Sequence, residues 1–274
     1  MSDEKPRSFE VSIEIDAPPA EVWKAIAEAD GIARWLAPEV KVTPGKGGAI
    51  SVSWGPGMEG TQQIEVWEEN RHLCLTEQRA KPYSCGGADT SGDAADAAET
   101  PLRIAVDYFL EAKDGGKTVL RLVHSGFGNS AGWDQEMEST RRGWPTFFRV
   151  MKHGIEFHPH EPASPVTLSI PSLHSAADAW ERVCKALTPL NQSTRYELRS
   201  PQETLQGKLL IHGERHFAGV IENWNDALVS IVCEPSPSGP GSMLYFMLTL
   251  YGPAIAHAQA IDARWKEALT SLVN

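Results

Sequence analysis

His124 is the polar residue of this sequence best placed to meet a ligand. In the stretch TVLRLVHSGF, Leu120, Leu122 and His124 alternate with the charged Arg121, so a strand here would turn His124 toward the core. An imidazole in a pocket can act as a general base or as a hydrogen-bond anchor. Buried polar groups normally find a partner nearby, for example a backbone group or the Trp133 side chain. We therefore interpret His124 as an anchor and assign no catalytic residue.

Aromatic and methionine side chains are the second feature that could bind a ligand. Aromatic rings stack on flat apolar molecules, and methionine adapts to ligands of variable shape. Core filling explains each of the aromatic residues equally well. Together with His124, the predicted ligand-binding residues are Trp54, Tyr108, Trp133, Met137, Trp144, Phe148 and Met151.

Other kinds of chemistry find little support in the sequence. His153, His158 and His160 lie near one another in the chain, and His212 and His216 flank a predicted hairpin tip. Neither group supplies the three or four convergent ligands that a zinc site needs. A Walker loop and a GxGxxG motif between a strand and a helix are also absent from the sequence. We predict no metal and no cofactor, and a function without catalysis is favoured.

The stretch from residue 132 to residue 158 is the element that must position these side chains. Its apolar residues recur at spacings of three, four or seven, so in an α-helix they share one stripe. The stripe consists of Trp133, Met137, Trp144, Phe148, Met151 and Ile155. Pro145 removes a backbone donor inside the pattern, which predicts either a bend in one helix or a new helix that starts at Pro145.

Short alternating segments precede this helix, beginning with residues 9–16, and turn signals such as Asp114-Gly115-Gly116 separate them. Hairpin connections between such segments predict an antiparallel meander. Residues 79–101 are rich in Ala, Gly, Asp and Ser and show no period, which predicts a mobile loop. A solvated insertion is the favoured interpretation of this loop, and a lid over the concave space is the alternative.

The second half of the chain repeats the order of elements of the first half. Residues 161–165 combine prolines with no apolar pattern, which predicts a linker between a domain at 1–160 and a smaller domain at 166–274. The segment AEVWKAI at Ala20 also matches ADAWERV at Ala177. Two copies of one fold are the economical interpretation.

A closing helix is predicted for the second copy, from about Pro253 to Val273. Ile255, Ile261 and Trp265 begin its apolar side. This helix corresponds to the long helix of the first copy.

The bulk properties exclude several classes of partner. The net charge is −11 without a basic cluster, and phosphate binding relies on Lys and Arg, so nucleic acid is excluded. No apolar run approaches the ~18 residues of a membrane helix, and the charged N-terminus lacks the apolar core of a signal peptide. We expect a cytoplasmic protein without membrane insertion. The widely spaced cysteines, which predict reduced thiols, are Cys74, Cys85, Cys184 and Cys233.

Four stretches give the chain a family likeness. They are IDAPPAEVWKAI at Ile15, EADGIARWLAPEV at Glu28, VSWGPGMEG at Val52, and LRLVHSGFG followed by the RRGWPTFFRVMKHGIE helix. In this order, over residues 9–158, they resemble the START-like (SRPBCC) superfamily and, within it, the domain related to the activator of the heat-shock chaperone ATPase. The resemblance implies an α+β helix-grip fold, in which an antiparallel sheet wraps a long C-terminal helix around a deep apolar pocket. The second copy is similar in element order alone, as a divergent SRPBCC-like domain.

This resemblance implies a fold more sharply than a function. Members of the superfamily bind lipids, sterols, polyketides or plant hormones, some catalyse cyclisation or hydrolysis, and some stimulate a chaperone ATPase. We expect the first domain to bind a small hydrophobic or amphipathic molecule without covalent chemistry. The wide apolar stripe supports this, because buried apolar area contributes about 25 cal/mol per Å².

Two alternatives stay open at this point. The first is a co-chaperone-like module that binds a chaperone through its surface. The second is a cyclase or hydrolase that uses His124 with a carboxylate such as Asp107 or Glu59. Asp107 suits that role poorly, because it falls on the strand face opposite Val106 and Tyr108.

Overall fold

The computed structural model describes residues 7–54, 59–83, 100–187, 194–236 and 240–274. The chain divides into two compact units, Met1–Pro159 and His160–Asn274. In each unit an antiparallel sheet is followed by a C-terminal α-helix, so the fold is α+β with two tandem helix-grip units, as the sequence predicts. Within the described ranges, no helix is both long enough and apolar enough to span a membrane.

The first unit combines one sheet with three helices in its described part. Its strands are β1 (Arg7–Ile15), β2 (Glu39–Thr43), β3 (Ala49–Ser53), β4 (Glu59–Glu68), β5 (His72–Arg79), β6 (Leu102–Lys113) and β7 (Lys117–Phe127). Its helices are α1 (Pro19–Ala27), α2 (Ala29–Ala33) and α3 (Ala131–Phe157). The strand order is β1-β7-β6-β5-β4-β3-β2, with antiparallel neighbours throughout, so the predicted meander is confirmed and β1 returns beside β7.

Strand alternation gives this sheet an inner face, which lies toward α3, and an outer face. On the inner face Phe9 of β1 pairs with His124 of β7, and the neighbouring pairs place Leu122 and Leu120 in the core. On the outer face Arg121 binds Glu10 across the same two strands. His124 therefore lies on the inner face, as the alternation predicts.

Helix α3 is continuous from Ala131 to Phe157 with Pro145 inside it, so the alternative of a new helix at Pro145 is wrong. Pro145 lies on the exposed side of the helix together with Arg141. Water can therefore satisfy the carbonyl that the missing N–H of Pro145 leaves without a donor. The bend itself stays a prediction. The opposite side of α3 buries Trp133, Phe148 and Met151, which belong to the predicted stripe.

The short helices α1 and α2 contact each other closely. Helix α1 begins at Pro19, where a proline is tolerated because the first turn needs no N–H. A Cβ on Gly31 would lie 2.0 Å from the carbonyl oxygen of Lys24, so only glycine allows α2 to approach α1 this closely. The Trp35 indole N–H donates to the Ala25 carbonyl oxygen of α1 at 2.8 Å, which also holds the segment after α2 against α1.

The second unit repeats this plan with its own sheet and helices. Its strands are β8 (Ala163–Ser172), β9 (Arg195–Arg199), β10 (Thr204–Gly213), β11 (His216–Ile221), β12 (Ala227–Pro235) and β13 (Ser242–Tyr251), and its helices are α4 (Ala176–Ala186) and α5 (Ile261–Val273). The strand order is β8-β13-β12-β11-β10-β9. Its interior is filled by its own side chains: Trp265 of α5 stacks on Phe246 of β13 at 5.3 Å, and both are buried.

Two element boundaries in the second unit differ from the sequence prediction. Strand β8 begins at Ala163, inside the stretch 161–165 that the sequence favours as a linker. The closing helix predicted from Pro253 begins only at Ile261, and residues 252–260 form a 3₁₀-helix instead. This stretch buries Ala254 alone, so it lacks the apolar stripe that stabilises an α-helix by packing.

The loop predicted at 79–101 lies largely outside the described residues, which stop at residue 83 and resume at residue 100. Its mobility therefore stays a prediction. Cys85, one of the predicted reduced thiols, also lies outside the described ranges, whereas Cys74, Cys184 and Cys233 are free thiols.

Candidate functional site

Four of the predicted ligand-binding residues meet on the inner face of the first unit. Trp144 of α3 is their centre. Its ring lies 6.0 Å from the ring of Tyr108, 6.4 Å from that of His124 and 5.7 Å from that of Phe148, measured between centroids. Tyr108 and His124 come from neighbouring strands, and Phe148 lies one helical turn after Trp144. Trp144 stays partly exposed, so solvent reaches one side of this aromatic group.

The contact between Trp144 and His124 defines the state of the imidazole. Trp144 Nε1 lies 3.4 Å from His124 Nδ1. An indole nitrogen can only donate, so Nδ1 accepts and the ring proton of a neutral His124 resides on Nε2. The hydrogen bond is long, and the rings of Phe9 and Phe127, at 5.5 and 4.7 Å, hold the imidazole from other sides.

His124 is only 8% exposed, and this burial lowers its pKa to about 3, with a smaller contribution from the positive charge of Arg79. The imidazole is therefore neutral at neutral pH. It cannot serve as a cationic group there, but its Nε2–H remains a hydrogen-bond donor.

The depressed pKa predicts a pH-dependent stability. Below the ordinary His pKa of about 6.5, His124 binds a proton in the unfolded chain but not in the folded protein. The free energy of unfolding therefore decreases as the pH falls. Between pH 6.5 and pH 3 the loss is about 1.4 kcal/mol per pH unit. Urea unfolding of the wild type and of His124→Gln at a series of pH values measures it. The two stability curves should diverge below pH 6.5, and parallel curves would contradict the assignment.

Trp133 and Met137 join a neighbouring cluster rather than the group around Trp144. Trp133 is buried with Ile104 and Phe127, and Met137 packs against the same cluster. Phe127 also contacts His124, so the two groups are continuous. A Cβ on Gly128, three residues before helix α3 begins, would come within 2.5 Å of the Trp133 ring, so a glycine is required for Trp133 to lie there.

The remaining two predicted residues lie elsewhere. Met151 is buried toward the other end of α3, where with Trp35, Val150 and Ile155 it lines a cavity of about 20 Å³. That volume holds about one water molecule. Trp54 follows strand β3, is 36% exposed, and donates its indole N–H to the Leu36 carbonyl oxygen at 2.7 Å. The structure therefore does not bring Trp54 to the aromatic group.

Sequence reasoning missed a network of charged side chains beside this site. We call it the Arg79 network; it consists of Arg79, Glu77, Glu136 and Tyr83. Arg79 of β5 binds both carboxylate oxygens of Glu136 in α3, at 2.5 and 3.2 Å, and its Nε lies 3.1 Å from Glu77. The Tyr83 backbone N–H donates to Glu136 at 2.8 Å, and the Tyr83 hydroxyl donates to Glu77 at 3.0 Å.

The Arg79 network is buried, which distinguishes it from the ion pairs on the outer face. The side chains of Arg79 and Glu136 are 9% and 7% exposed. The guanidinium lies 3.8 Å from the Tyr83 ring centre and 5.1 Å from the Trp133 ring. Burial raises the pKa of Glu136 above the usual range of a carboxyl, and the charge and hydrogen bonds of Arg79 oppose that rise.

A signal for this network was present in the sequence. Glu77 and Arg79 share strand parity with Leu73 and Leu75, which are core residues, so both charges fall on the inner face. Glu136 stands three residues after Trp133 and therefore near the apolar stripe of α3. The parity indicates burial, and burial of opposite charges indicates pairing.

The carboxylates considered for an enzyme lie away from His124. Asp107 is on the outer face, where its Oδ1 binds His72 Nε2 at 2.7 Å. The His72 ring also stacks on Phe109 at 4.3 Å. Glu59, at the start of β4, is exposed. In the described part of the chain, no three His, Cys, Asp or Glu side chains form a group that could hold a metal ion.

Comparison with known proteins gives one family match. A family model described as "Activator of Hsp90 ATPase homolog 1-like protein" matches residues 16–156, which lie in the first unit. No curated protein matches the sequence.

Solved structures give more distant likenesses. A protein from Mesorhizobium loti is 25% identical, over 55% of this chain and 97% of its own, with a TM-score of 0.42. The di-domain ARO/CYC protein BexL from a biosynthetic pathway is 13% identical, over 98% of this chain and 99% of its own, with a TM-score of 0.45. An HSP90 activator from Plasmodium falciparum is 18% identical, over 54% of this chain and 93% of its own, with a TM-score of 0.40.

Proposed function

The chain belongs to the Activator of Hsp90 ATPase homolog 1-like family, and we propose that its first unit binds a small hydrophobic or amphipathic molecule between the sheet and helix α3. The observation that carries the proposal is the position of Trp144. Its ring is surrounded by other rings and yet remains partly exposed, which makes it an apolar wall that a ligand can cover.

The polar groups near this wall support binding rather than catalysis. His124 is neutral and has no carboxylate among its hydrogen-bond partners, so nothing beside it would raise its basicity. The Arg79 network holds its charges in mutual pairs, with Arg79 bonded to Glu136. These features position and orient a molecule without moving a proton. We place this activity in the cytoplasm, in keeping with the expectation from the sequence.

The proposal predicts that a ligand co-purifies with the protein. Native mass spectrometry and solvent extraction of the full chain, purified from its own cells, should recover a small apolar or amphipathic compound. Trp144→Ala removes the central ring and should lower the affinity for that compound roughly tenfold or more, because a buried aromatic contact contributes about 1.5–3 kcal/mol.

Trp54→Ala is the matched control, because Trp54 is an indole outside the aromatic group. Its affinity should stay within about twofold of the wild type. A protein that is consistently empty, or equal losses in the two variants, would count against the proposal.

Family membership favours one second candidate function. The description of the matching family names an activator of a chaperone ATPase, so a chaperone is a candidate partner of the first unit. Co-purification with a chaperone, together with a changed ATPase rate on addition of the full chain, would support it. An unchanged rate at saturating protein would exclude it.

A further inference from the structure

His124 presents a hydrogen-bond donor that no residue in the described part of the chain accepts. The Trp144 indole N–H donates to Nδ1 of His124, so the ring proton of the neutral imidazole lies on Nε2. Nε2 makes no hydrogen bond to any residue within the described ranges. The residue is nevertheless enclosed, with 8% of its surface accessible. An N–H group on an enclosed side chain normally pairs with protein, water or a ligand.

The surroundings of Nε2 define which ligand atom can pair with it. The rings of Phe9, Phe127 and Trp144 lie around the imidazole, so apolar groups border this donor. A ligand atom here must accept a hydrogen bond. An oxygen of a carbonyl group satisfies this requirement, and a group that can only donate does not.

The nearest charged groups are bound to one another. Arg79 lies against Trp133, whose cluster includes Phe127, the residue in ring contact with His124. Glu136 binds the guanidinium edge and holds it in place. Both carboxylates of the network are bound to Arg79, so an ammonium group, which can only donate hydrogen bonds, finds no acceptor at His124 Nε2–H.

We infer that the molecule bound by the first unit carries a carbonyl-type oxygen on its apolar body, that this oxygen accepts a hydrogen bond from His124 Nε2–H, and that cationic amphiphiles are excluded. The inference rests on the proposed function, because it specifies the polar group of the same ligand. It assigns His124 as the residue that determines specificity, and Trp144 N–H as the group that orients it.

Three probes of nearly equal shape test the inference on the full chain by equilibrium dialysis. They are an acetylnaphthalene, the isopropenylnaphthalene with the same substitution, and the corresponding naphthylethylammonium ion. The first two differ in a carbonyl oxygen against a methylene group. The ratio of their affinities should be about tenfold larger in the wild type than in His124→Phe, which keeps a ring but has no N–H. The ammonium probe should bind at least roughly tenfold more weakly than the ketone.

Trp144→Phe provides a second variant in case His124→Phe does not fold. It keeps the aromatic wall but removes the donor that fixes the tautomer, so the ketone preference should shrink while the alkene still binds. Equal binding of the three probes to the wild type, or a ketone preference unchanged in both variants, would overturn the inference and leave the proposed function standing. Binding of none of the probes would overturn both.

Discussion

Replacing Arg79 with methionine is expected to lower the free energy of unfolding of the first unit by about 3–5 kcal/mol. Methionine keeps most of the apolar stem but removes the guanidinium that Glu136 and Glu77 bind. Two carboxylates would then lie in a buried region without a cation, and the cost of burying an unpaired charge is large.

The same argument predicts how this loss depends on pH. Burial already raises the pKa of Glu136, and Arg79 is the group that opposes the rise. Without Arg79 the carboxyl takes up a proton more readily, so the variant should recover part of its stability as the pH falls from neutral toward pH 5. Urea unfolding at several pH values measures both effects.

Arg103→Met is the matched control for this prediction. Arg103 pairs with Glu65 on the outer face, where both side chains are nearly half exposed. Exposed pairs contribute about 0–1 kcal/mol, so this variant should unfold almost as the wild type does. A similar loss in both variants would mean that the Arg79 network has no special role.

Replacing Trp133 with alanine is expected to lower the free energy of unfolding of the first unit by a comparable amount, about 3–5 kcal/mol. Trp133 is 1% exposed and lies between the guanidinium of Arg79 and the Ile104–Phe127 cluster. Its removal leaves a cavity at the N-terminal half of α3 that neighbouring side chains fill only in part. The change should also loosen the contact of α3 with the sheet.

Phe157→Ala tests the same kind of truncation on the same helix. Phe157 is 64% exposed at the C-terminal end of α3, so its truncation should lower the free energy of unfolding by less than about 0.5 kcal/mol. Native-state hydrogen exchange of the full chain assigns the effects to a unit. Peptides from strands β5 to β7 should lose protection in Trp133→Ala, and peptides from β11 to β13 should keep it. A uniform loss over both units would contradict the local account.

These two predictions concern the frame around the candidate ligand site. The Arg79 network joins strand β5 to helix α3 through Glu136, and Trp133 packs on the same guanidinium. His124 and Trp144 lie next to this region through Phe127. A frame held by buried charge pairs and one large ring keeps the donor on His124 in place, which a selective site requires.

Local patterns in the sequence were enough to predict most of the fold. The alternation around His124 predicted its position on the inner face, and the helical spacing predicted the stripe of α3 that buries Trp133, Phe148 and Met151. Side-chain direction repeats every two residues in a strand and about every 3.6 in a helix. A single segment therefore reveals which of its faces is buried. The family resemblance agrees with the family match over residues 16–156.

The same patterns were insufficient for the site. Trp54 was predicted with the other aromatic residues, but it follows its strand and its indole bonds to Leu36. The continuity of α3 through Pro145 depends on the proline lying on the solvent side. Neither fact follows from residue type and spacing, because each depends on what lies across from the residue.

Local sequence patterns specify most of the helices and strands, their buried faces and the side of the sheet on which His124 lies. Packing in three dimensions selects which residues of those faces meet, and it brings Trp144 to His124 and Arg79 to Glu136. The difference arises from sequence separation. Backbone periodicity acts over a few residues, whereas these pairs join residues 20 and 57 positions apart, and the register between strands and helix that brings them together is set by packing of the whole unit.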